Sequence, residues 1–538
     1  PEKPPESDEW EAEMLAALRA GRDAGLRDAM VIVAEGATDR HGRPITSEHL
    51  RKVLEAGLTE SVRITVLGHV QRGGAPSAYD RNLGTIMGHG AVEALVAGAA
   101  DEESQVIGMR GNRVVRIALA ECVSKSRQIN KLLESHEYGQ ALELRGSSFN
   151  TALRSLQTLL RALPRPPKDG QRRLRLAILN VGAPAAGMNA AVRAAVRIGL
   201  DQGHAMFGVR RGFQGLIDDD MQVMVWMSVN GWSSLGGSEL GTTRVVPSGP
   251  SLYSIARTIE NRRLDGLLII GGWDSYQGAH RLFEERANFP AFRIPMACLP
   301  ATIDNNLPGT ELSIGSDTAL NNIVNVVDKI KQSAVAERRC YIVEVMGRRC
   351  GYLALMSGLA TGAERVYLHE EGITLRSMKE DLDVMIQGFK EGKRVGLMIR
   401  NENANPTYDT YFMAKLFEEE SGGTFSVRES ILGHLQQGGD PSPFDRIQAT
   451  KFARRCVGYL IEQAMEHRQG AAFVGMVAGR VKFHPLEDLP RLIDEANRRP
   501  KVQWWLGLRK IADALARTGP APLQAAAAVV EEDRDDEE

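Results

Sequence analysis

The sequence predicts an α/β protein of doubly wound, parallel-sheet domains, present as one partial and one complete copy of a duplicated unit. Three observations lead there. Continuously apolar runs at 174–181, 264–272 and 294–300 are each bounded by glycine or proline and followed by helical periodicity; strands of that kind are covered by helices on both faces. The segment 66–81 aligns without gaps with 431–446, so that His69 falls on His434, a displacement of 434 − 69 = 365 residues. In a chain of 538 residues such a period leaves room for about one and a half copies.

Taken in order, the first copy holds an apolar run at 30–34 ended by Glu35, then Arg63 six residues before His69. The second repeats the order, with a run at 396–401 ended by Glu402 and Arg428 before His434. By subtraction the first copy lacks an opening portion of roughly 200 residues, and Pro1 in place of an initiating Met reads as a fragment or processed product. Residues 1–162 are then the closing part of the first copy. The prolines and charges of 163–173 form a linker, 174–520 is a complete second copy, and 521–538 is an acidic tail expected to be disordered. The second copy opens with a strand at 174–181, the turn Gly182-Ala-Pro-Ala-Ala-Gly187, and a helix from Met188 to about Gly203. In open parallel sheets, ligands bind beyond the carboxyl ends of the strands, where turns and helix N-termini present N–H groups to phosphate.

Composition narrows the function. With Lys+Arg 66 against Asp+Glu 68 and a net charge of −2, there is no broad basic field for nucleic acid or an anionic membrane, so any anion site is local. No apolar run approaches the roughly 18 residues of a membrane span, and the start Pro1-Glu-Lys-Pro-Pro5 is unlike a secretory signal, which implies a cytoplasmic protein. The cysteines, Cys122, Cys298, Cys340, Cys350 and Cys456, show neither Cys-x-x-Cys nor zinc-ligand spacing and read as reduced packing residues.

Several motifs bear on chemistry. Thr302-Ile-Asp-Asn-Asn306 follows an apolar strand, which sets an aspartate at the sheet's working edge, although Asx side chains also cap their own backbone. Val343-Glu-Val-Met-Gly-Arg-Arg-Cys-Gly351 is a second strand end with Arg338 and Arg339 before it and Arg348 and Arg349 within it. Arginine grips phosphate oxygens in a bidentate fork, but a solvated basic loop has the same composition. The element Arg-x5-His-x-Gln-Arg/Gln-Gly-Gly pairs a cation, an imidazole and close-approach glycines twice in one chain, and so points to a duplicated anion or sugar-phosphate site. Glu35 and Glu402, acceptors when ionised, suit sugar hydroxyls.

Together, Gly-His-Val-Gln-Arg-Gly-Gly, Thr-Ile-Asp-Asn, Val-Met-Gly-Arg and Gly-Ala-Pro-Ala-Ala-Gly-Met-Asn, in this order from about Asp28 to Arg509, resemble the tandem-repeat ATP-dependent 6-phosphofructokinases of eukaryotes. The resemblance implies a phosphofructokinase-like fold and transfer of the γ-phosphoryl of Mg2+-ATP to the 1-hydroxyl of fructose 6-phosphate in glycolysis. It also implies a catalytic first half and a second half converted into a fructose 2,6-bisphosphate effector site. By motif, the first-half substrate contacts are Glu35, Arg63, His69, Val70, Gln71 and Arg72. The second-half effector contacts are Arg244, Thr302, Ile303, Asp304, Asn305, Asn306, Arg339, Met346, Gly347, Arg348, Glu402, Arg428, His434, Leu435, Gln436, Gln437 and Arg498. Asp304 keeps the general-base position. Arginines from a facing half complete such sites, and a cytoplasmic homo-oligomer, a tetramer, is implied, with no nucleic-acid or membrane partner.

The second half also departs from the catalytic pattern. Gly271-Gly-Trp-Asp-Ser275 stands where catalytic copies carry Gly-Gly-Asp-Gly-Ser, and an indole cannot serve a hard cation. Asn306 replaces a second carboxylate, and Ala183-Pro184 replaces a Gly-Asp pair at the phosphate turn. No metal ligand is therefore expected in this chain, the Mg2+-ATP ligands belonging to an upstream segment. Lys331 and Gln437 fit a regulatory second half, Gln437 standing where Arg72 stands in the first. Two other readings remain: a non-catalytic sugar-bisphosphate-binding fragment of a larger assembly, and a pyrophosphate-dependent kinase, to which Asp274 points.

Overall fold

The computed structural model describes residues 3–26, 29–58, 61–98, 104–161 and 163–516; the acidic tail at 521–538 lies outside them. The first copy contributes α1 (Trp10–Asp23), α2 (Ser47–Gly57), α3 (Ala78–Ala97), the hairpin β1 (Gln105–Arg110) and β2 (Arg113–Ala118), α4 (Leu119–Glu134), α5 (Tyr138–Leu144) and α6 (Ser147–Leu159). A capping box starts α3: the Ser77 hydroxyl accepts from Asp80 N, and the Asp80 carboxylate accepts from Ser77 N.

The second copy follows as β3 (Arg175–Val181), α7 (Met188–Asp201), β4 (Ala205–Val209), α8 (Phe213–Ile217), β5 (Met221–Met224), α9 (Pro250–Arg262), β6 (Gly266–Gly271), α10 (Trp273–Glu284) and β7 (Met296–Pro300). Next come α11 (Ser316–Glu337), β8 (Arg339–Val345), α12 (Tyr352–Thr361), β9 (Arg365–Tyr367), α13 (Leu375–Lys390), β10 (Val395–Asn401), α14 (Thr410–Glu420), β11 (Ser426–Ile431), α15 (Pro443–Met465), β12 (Ala471–Val477) and β13 (Arg480–Pro485). The strands form two sheets. One has the order β13-β12-β7-β6-β3-β4-β5, parallel at its centre with one antiparallel strand at each edge. The other, β11-β8-β10-β9, is wholly parallel.

Alternation along the strands builds three cores. Leu176 and Ile178 of β3, Val343 and Val345 of β8, and Leu397 and Ile399 of β10 share one core with α7, α11, α12 and α15. Their odd neighbours Ala177, Leu179 and Val181 face a second core with α8, α9 and α10. Cys340, Ile342 and Met398 face a third with α13 and α14. Both sheets are thus covered on both faces, the doubly wound α/β arrangement that continuous apolar strands require.

The two copies meet at equivalent positions. Tyr79 stacks on Phe444, 5.3 Å between ring centroids, and 444 − 79 = 365. The turn of the β1–β2 hairpin meets that of β12–β13: a Cβ on Gly111 would lie 2.6 Å from the Cα of Ala478, and 478 − 111 = 367, the spacing that also relates Glu35 to Glu402. Contact between equivalent residues is the mark of an isologous interface, so the duplication is arranged about a pseudo-two-fold axis. Arg81 adds a bidentate pair to Asp328 of α11, at 3.1 and 2.6 Å, and Asn321 Oδ1 accepts from Ala78 N at 2.9 Å.

One expected parallel fails. The apolar run at 30–34 forms no strand: Met30 and Ile32 are each 85% exposed, whereas Leu397 and Ile399, their counterparts in β10, are buried. An extended segment becomes a strand when its N–H and C=O groups find ladder partners. In the second copy β8 and β9 flank β10, and no counterpart of either is among the described residues.

Because Gly111 has φ +65° and its Cβ position is taken by the Ala478 backbone, Gly111→Ala is expected to destabilise the protein by about 1–3 kcal/mol. Denaturant unfolding, compared with the same change at the open position Gly42, measures this.

Candidate functional site

Three strand ends converge. Beyond β7 lies Thr302-Ile-Asp-Asn-Asn306, beyond β8 the turn Met346-Gly-Arg-Arg349, and beyond β10 Glu402. Glu402 N donates to the last carbonyl of β8, Val345 O, at 2.9 Å, and Arg348 N donates to Glu402 Oε1 at 2.7 Å. Gly347 turns the chain at φ +127°, where a Cβ would strike Cys350 O at 2.4 Å, so only glycine fits. The turn sets Arg348 Nε 3.9 Å from Asp304 Oδ2.

Asp304 is 13% exposed. Burial pushes its carboxyl up to about 6; Arg348 and Arg244 oppose the rise, and Glu402 adds to it. Arg244, exposed on the loop after β5, thereby joins the cluster. The carboxylates of such a cluster can accept from sugar hydroxyls, and its guanidiniums can bind phosphate oxygens.

Other residues named from the motif support this cluster from behind. Ile303 is a buried core residue. Asn305, at φ +49°, accepts Ser313 N at 2.8 Å and donates to Glu311 O at 2.9 Å, closing its own loop. Asn306 donates to Arg498 O at 2.9 Å, while Arg498 projects outward at φ +52°. Thr302 Oγ1 accepts Asp304 N at 3.3 Å. Gln436 is buried and accepts Met346 N at 3.1 Å, which braces the 3-10 turn Gly433–Gln437 against β8. His434 and Leu435 stand exposed on that turn, with Gln437 half-buried. Lys331 donates at 2.7 Å to Thr361 O, the C-terminal carbonyl of α12.

Arg339 and Arg428 lie elsewhere. Arg339 opens β8, and Arg428 pairs in register with Tyr341 on the edge strand β11. At about 3.3 Å per residue, each Cα is roughly 15–25 Å below the strand ends that carry Met346 and Arg348. Parallel register turns Ser426 and Arg428 to the same face as Arg339, whose guanidinium pairs with Glu337, so both arginines stand apart from their own half's site.

The first-copy set is not gathered. Glu35, Arg63, His69, Val70, Gln71 and Arg72 are all exposed, and among the described residues no hydrogen bond or ion pair joins one of them to another. The turn itself is duplicated: Gly68–Arg72 is also a 3-10 helix, Gly68 and Gly433 both have φ +50°, and Gln71 reaches back to Gly68 O as Gln436 does to Gly433 O. What differs is the strand beneath it, because no equivalent of β8 is among the described residues.

Supports that the motifs did not single out are Asn401, Glu370 and Arg499. Buried Asn401 donates to Met346 O and Cys350 O at 3.4 and 3.3 Å. Arg499 pairs with Glu370 at 3.1 Å and donates to Arg349 O at 2.8 Å, and Glu370 accepts Gly351 N. Adjacency to Glu402 and Arg498 was the only sequence signal for the first and last.

Trp273 is buried in the second core at the end of β6, and Ala185 and Ala186 of the Gly182–Gly187 turn are buried as well. A Cβ on Gly315 would lie 2.8 Å from Ala185 Cβ. Among the described residues no three His, Cys, Asp or Glu side chains are grouped to hold a metal ion. The residues here do not fit magnesium-bound nucleotide.

A carboxyl raised from 3.8 to about 6 favours the fold most below pH 3.8 and loses that contribution as pH rises through 6. Asp304→Asn is therefore expected to gain about 1–3 kcal/mol in stability relative to the parent between pH 4 and pH 8. Urea unfolding at the two pH values checks this, and an equal difference at both would refute the raised carboxyl.

Comparison with known proteins identifies the family. The family model for Phosphofructokinase matches residues 1–95 and 175–460. The muscle-type ATP-dependent 6-phosphofructokinase of Homo sapiens is 43% identical over 528 residues, which cover 96% of this chain and 67% of the relative. The ATP-dependent 6-phosphofructokinase of Dictyostelium discoideum is 42% identical over 513 residues, 94% of this chain and 61% of its own. Phosphofructokinase from Pichia pastoris in the T-state superposes with a TM-score of 0.91 at 35% identity, covering 96% of this chain and 61% of that one. That from Saccharomyces cerevisiae gives 0.91 at 36%, covering 96% and 70%. The chain thus spans roughly two thirds of the proteins it matches, and it belongs to the phosphofructokinase family.

Proposed function

We propose that this chain serves an ATP-dependent 6-phosphofructokinase, and that the pocket of its second copy binds fructose 2,6-bisphosphate as an effector. In the reaction, O1 of fructose 6-phosphate attacks the γ-phosphorus of ATP, its proton passes to a base, and ADP leaves with the broken P–O bond's electrons. Glu35, Arg63, His69, Val70, Gln71 and Arg72 would hold the sugar phosphate in a completed first half, and Mg2+ with ATP would be held outside the residues described. The observation that carries the effector reading is the cluster of Asp304, Arg348 and Glu402, with Arg244 acting on Asp304, in a half whose Trp273 is buried where a metal carboxylate would be expected. A sugar carrying two phosphates suits those arginines, with the carboxylates accepting from its hydroxyls.

Arg339 and Arg428 fit the same reading when they serve a facing copy, since their own pocket is out of reach. A cytoplasmic homo-oligomer, a tetramer by resemblance, would supply that facing copy. No helix among the described residues is long and apolar enough to cross a membrane.

Two outcomes are expected. Calorimetry should show Arg348→Ala losing about 1.5–3 kcal/mol of fructose 2,6-bisphosphate affinity, one charge-assisted contact. Arg428→Ala should lose a similar amount in the assembled oligomer and little in dissociated protomers; equal affinity of Arg348→Ala and the parent would remove the effector site. In a coupled assay this 538-residue chain should phosphorylate fructose 6-phosphate feebly or not at all, and robust ATP-dependent turnover would contradict the division of labour between halves.

A further inference from the structure

The N-termini of α11 and α15 cap each other through residues outside the ligand set above. Asp445, in the first turn of α15, is completely buried. Its Oδ1 accepts Gly315 N at 2.9 Å, and its Oδ2 accepts Thr318 N at 2.8 Å and Thr318 Oγ1 at 2.6 Å. These N–H groups belong to the first turn of α11, which its own helix leaves unpaired. In return Ser442, the N-cap of α15, donates from its backbone to Thr318 Oγ1 at 2.9 Å and from its hydroxyl to Asp317 Oδ2 at 2.5 Å. A charged acceptor at a helix N-terminus is also favoured by the helix dipole.

What makes this joint functional is what runs into it. The segment carrying Asp304 continues through Ser313 directly into Gly315 and α11, and the turn carrying His434 continues through 438–441 directly into Ser442 and α15. The turn at 182–187 packs onto the same joint, for a Cβ on Gly187 would lie 2.5 Å from Ile314 and 3.7 Å from Asp445 Cβ. In the first copy the equivalent Asp80 is exposed and caps only its own helix.

We infer that Asp445 is a positioning residue, whose carboxylate fixes the Asp304 loop and the His434 turn in one relative placement and so sets the geometry of the sugar-bisphosphate pocket. The inference deepens the effector reading above and rests on it for its ligand. Protonation would remove acceptor capacity from the joint. The ionisable groups around it are Asp317 on α11 and Tyr352 on α12, with Asp80 of α3 beyond Asp317. Burial pushes Asp445 up to about 7, Asp317 adding to the rise and the Thr318 and Gly315 donors opposing it.

The test uses Asp445→Asn in the full chain. Asparagine keeps the shape but turns an N–H against Thr318 N. Hydrogen exchange without ligand is expected to speed up about tenfold or more in both 302–318 and 433–445, with β3 and β6 unchanged. Fructose 2,6-bisphosphate affinity by calorimetry should fall about tenfold at pH 8. The parent's affinity should drop more steeply than the variant's between pH 8 and pH 6. Unchanged exchange in either segment, or parallel pH profiles with unchanged affinity, overturns the inference. If the parent itself fails to bind the bisphosphate, the effector reading falls while the exchange result still decides the joint. Should Asp445→Asn not fold, Ser442→Ala removes the hydroxyl's bonds to Asp317 and Asp445 N while keeping the backbone bond to Thr318, and must loosen the same two segments. Arg348→Ala serves as the contrast, weakening binding with no change of exchange at 433–445.

Discussion

The three strands whose carboxyl ends carry the candidate site each have a neighbour on both edges and a helix layer on both faces, and the site depends on that constraint. β7 lies between β6 and β12, β8 between β10 and β11, and β10 between β8 and β9. Interior strands of this kind have no freedom to slip, because a one-residue shift would turn Val343 and Ile399 out of their core and expose them. The loops that leave their carboxyl ends therefore start from fixed points, which lets Asp304, Arg348 and Glu402 meet although they come from different strands and two sheets. The first copy shows the converse. Its turn at Gly68–Arg72 keeps the local backbone of its twin, yet its side chains gather nothing without a strand beneath.

Electrostatics in the pocket are deliberately unbalanced. Asp304 is desolvated and next to Glu402, so its charge is disfavoured even with Arg348 at 3.9 Å. An incoming anionic ligand would compete with that carboxylate for the guanidinium, and a sugar hydroxyl would donate to the carboxylate. Such a cluster is held against its own preference by the surrounding scaffold, which here is the left-handed Arg348, the Gly347 turn and the Arg499–Glu370 pair behind them. Trp273 performs the opposite service on the neighbouring turn. It contributes its indole to the second core.

Much was legible because its cause is local. The strands at 174–181 and 396–401, the helix from Met188, and the duplicated turns are written in apolar runs and glycines, and they appear as β3, β10, α7 and a pair of 3-10 helices with matching φ angles. The same pattern misled at 30–34, where period and composition were right and the partners were not there. Motif membership likewise did not say which way a residue faces. Gln436 and Asn305 look like ligand contacts in the sequence and are internal braces in the fold, while Asn401, without a motif signal, and Asp445, inside the duplicated segment but not marked as a contact, hold the site together.

What the sequence by itself determined, then, is the α/β class, the duplication, its period and the chemical types brought to each strand end, since these follow from residue order and from backbone rules that act within a few positions. Only the tertiary structure decided that Tyr79 meets Phe444 and Gly111 meets Ala478 across a pseudo-two-fold, that Arg339 and Arg428 lie at the far end of the sheet from Arg348, and that two helix ends share one buried aspartate. Those facts depend on which surfaces exclude water together, a property of the whole packed chain that no single segment contains.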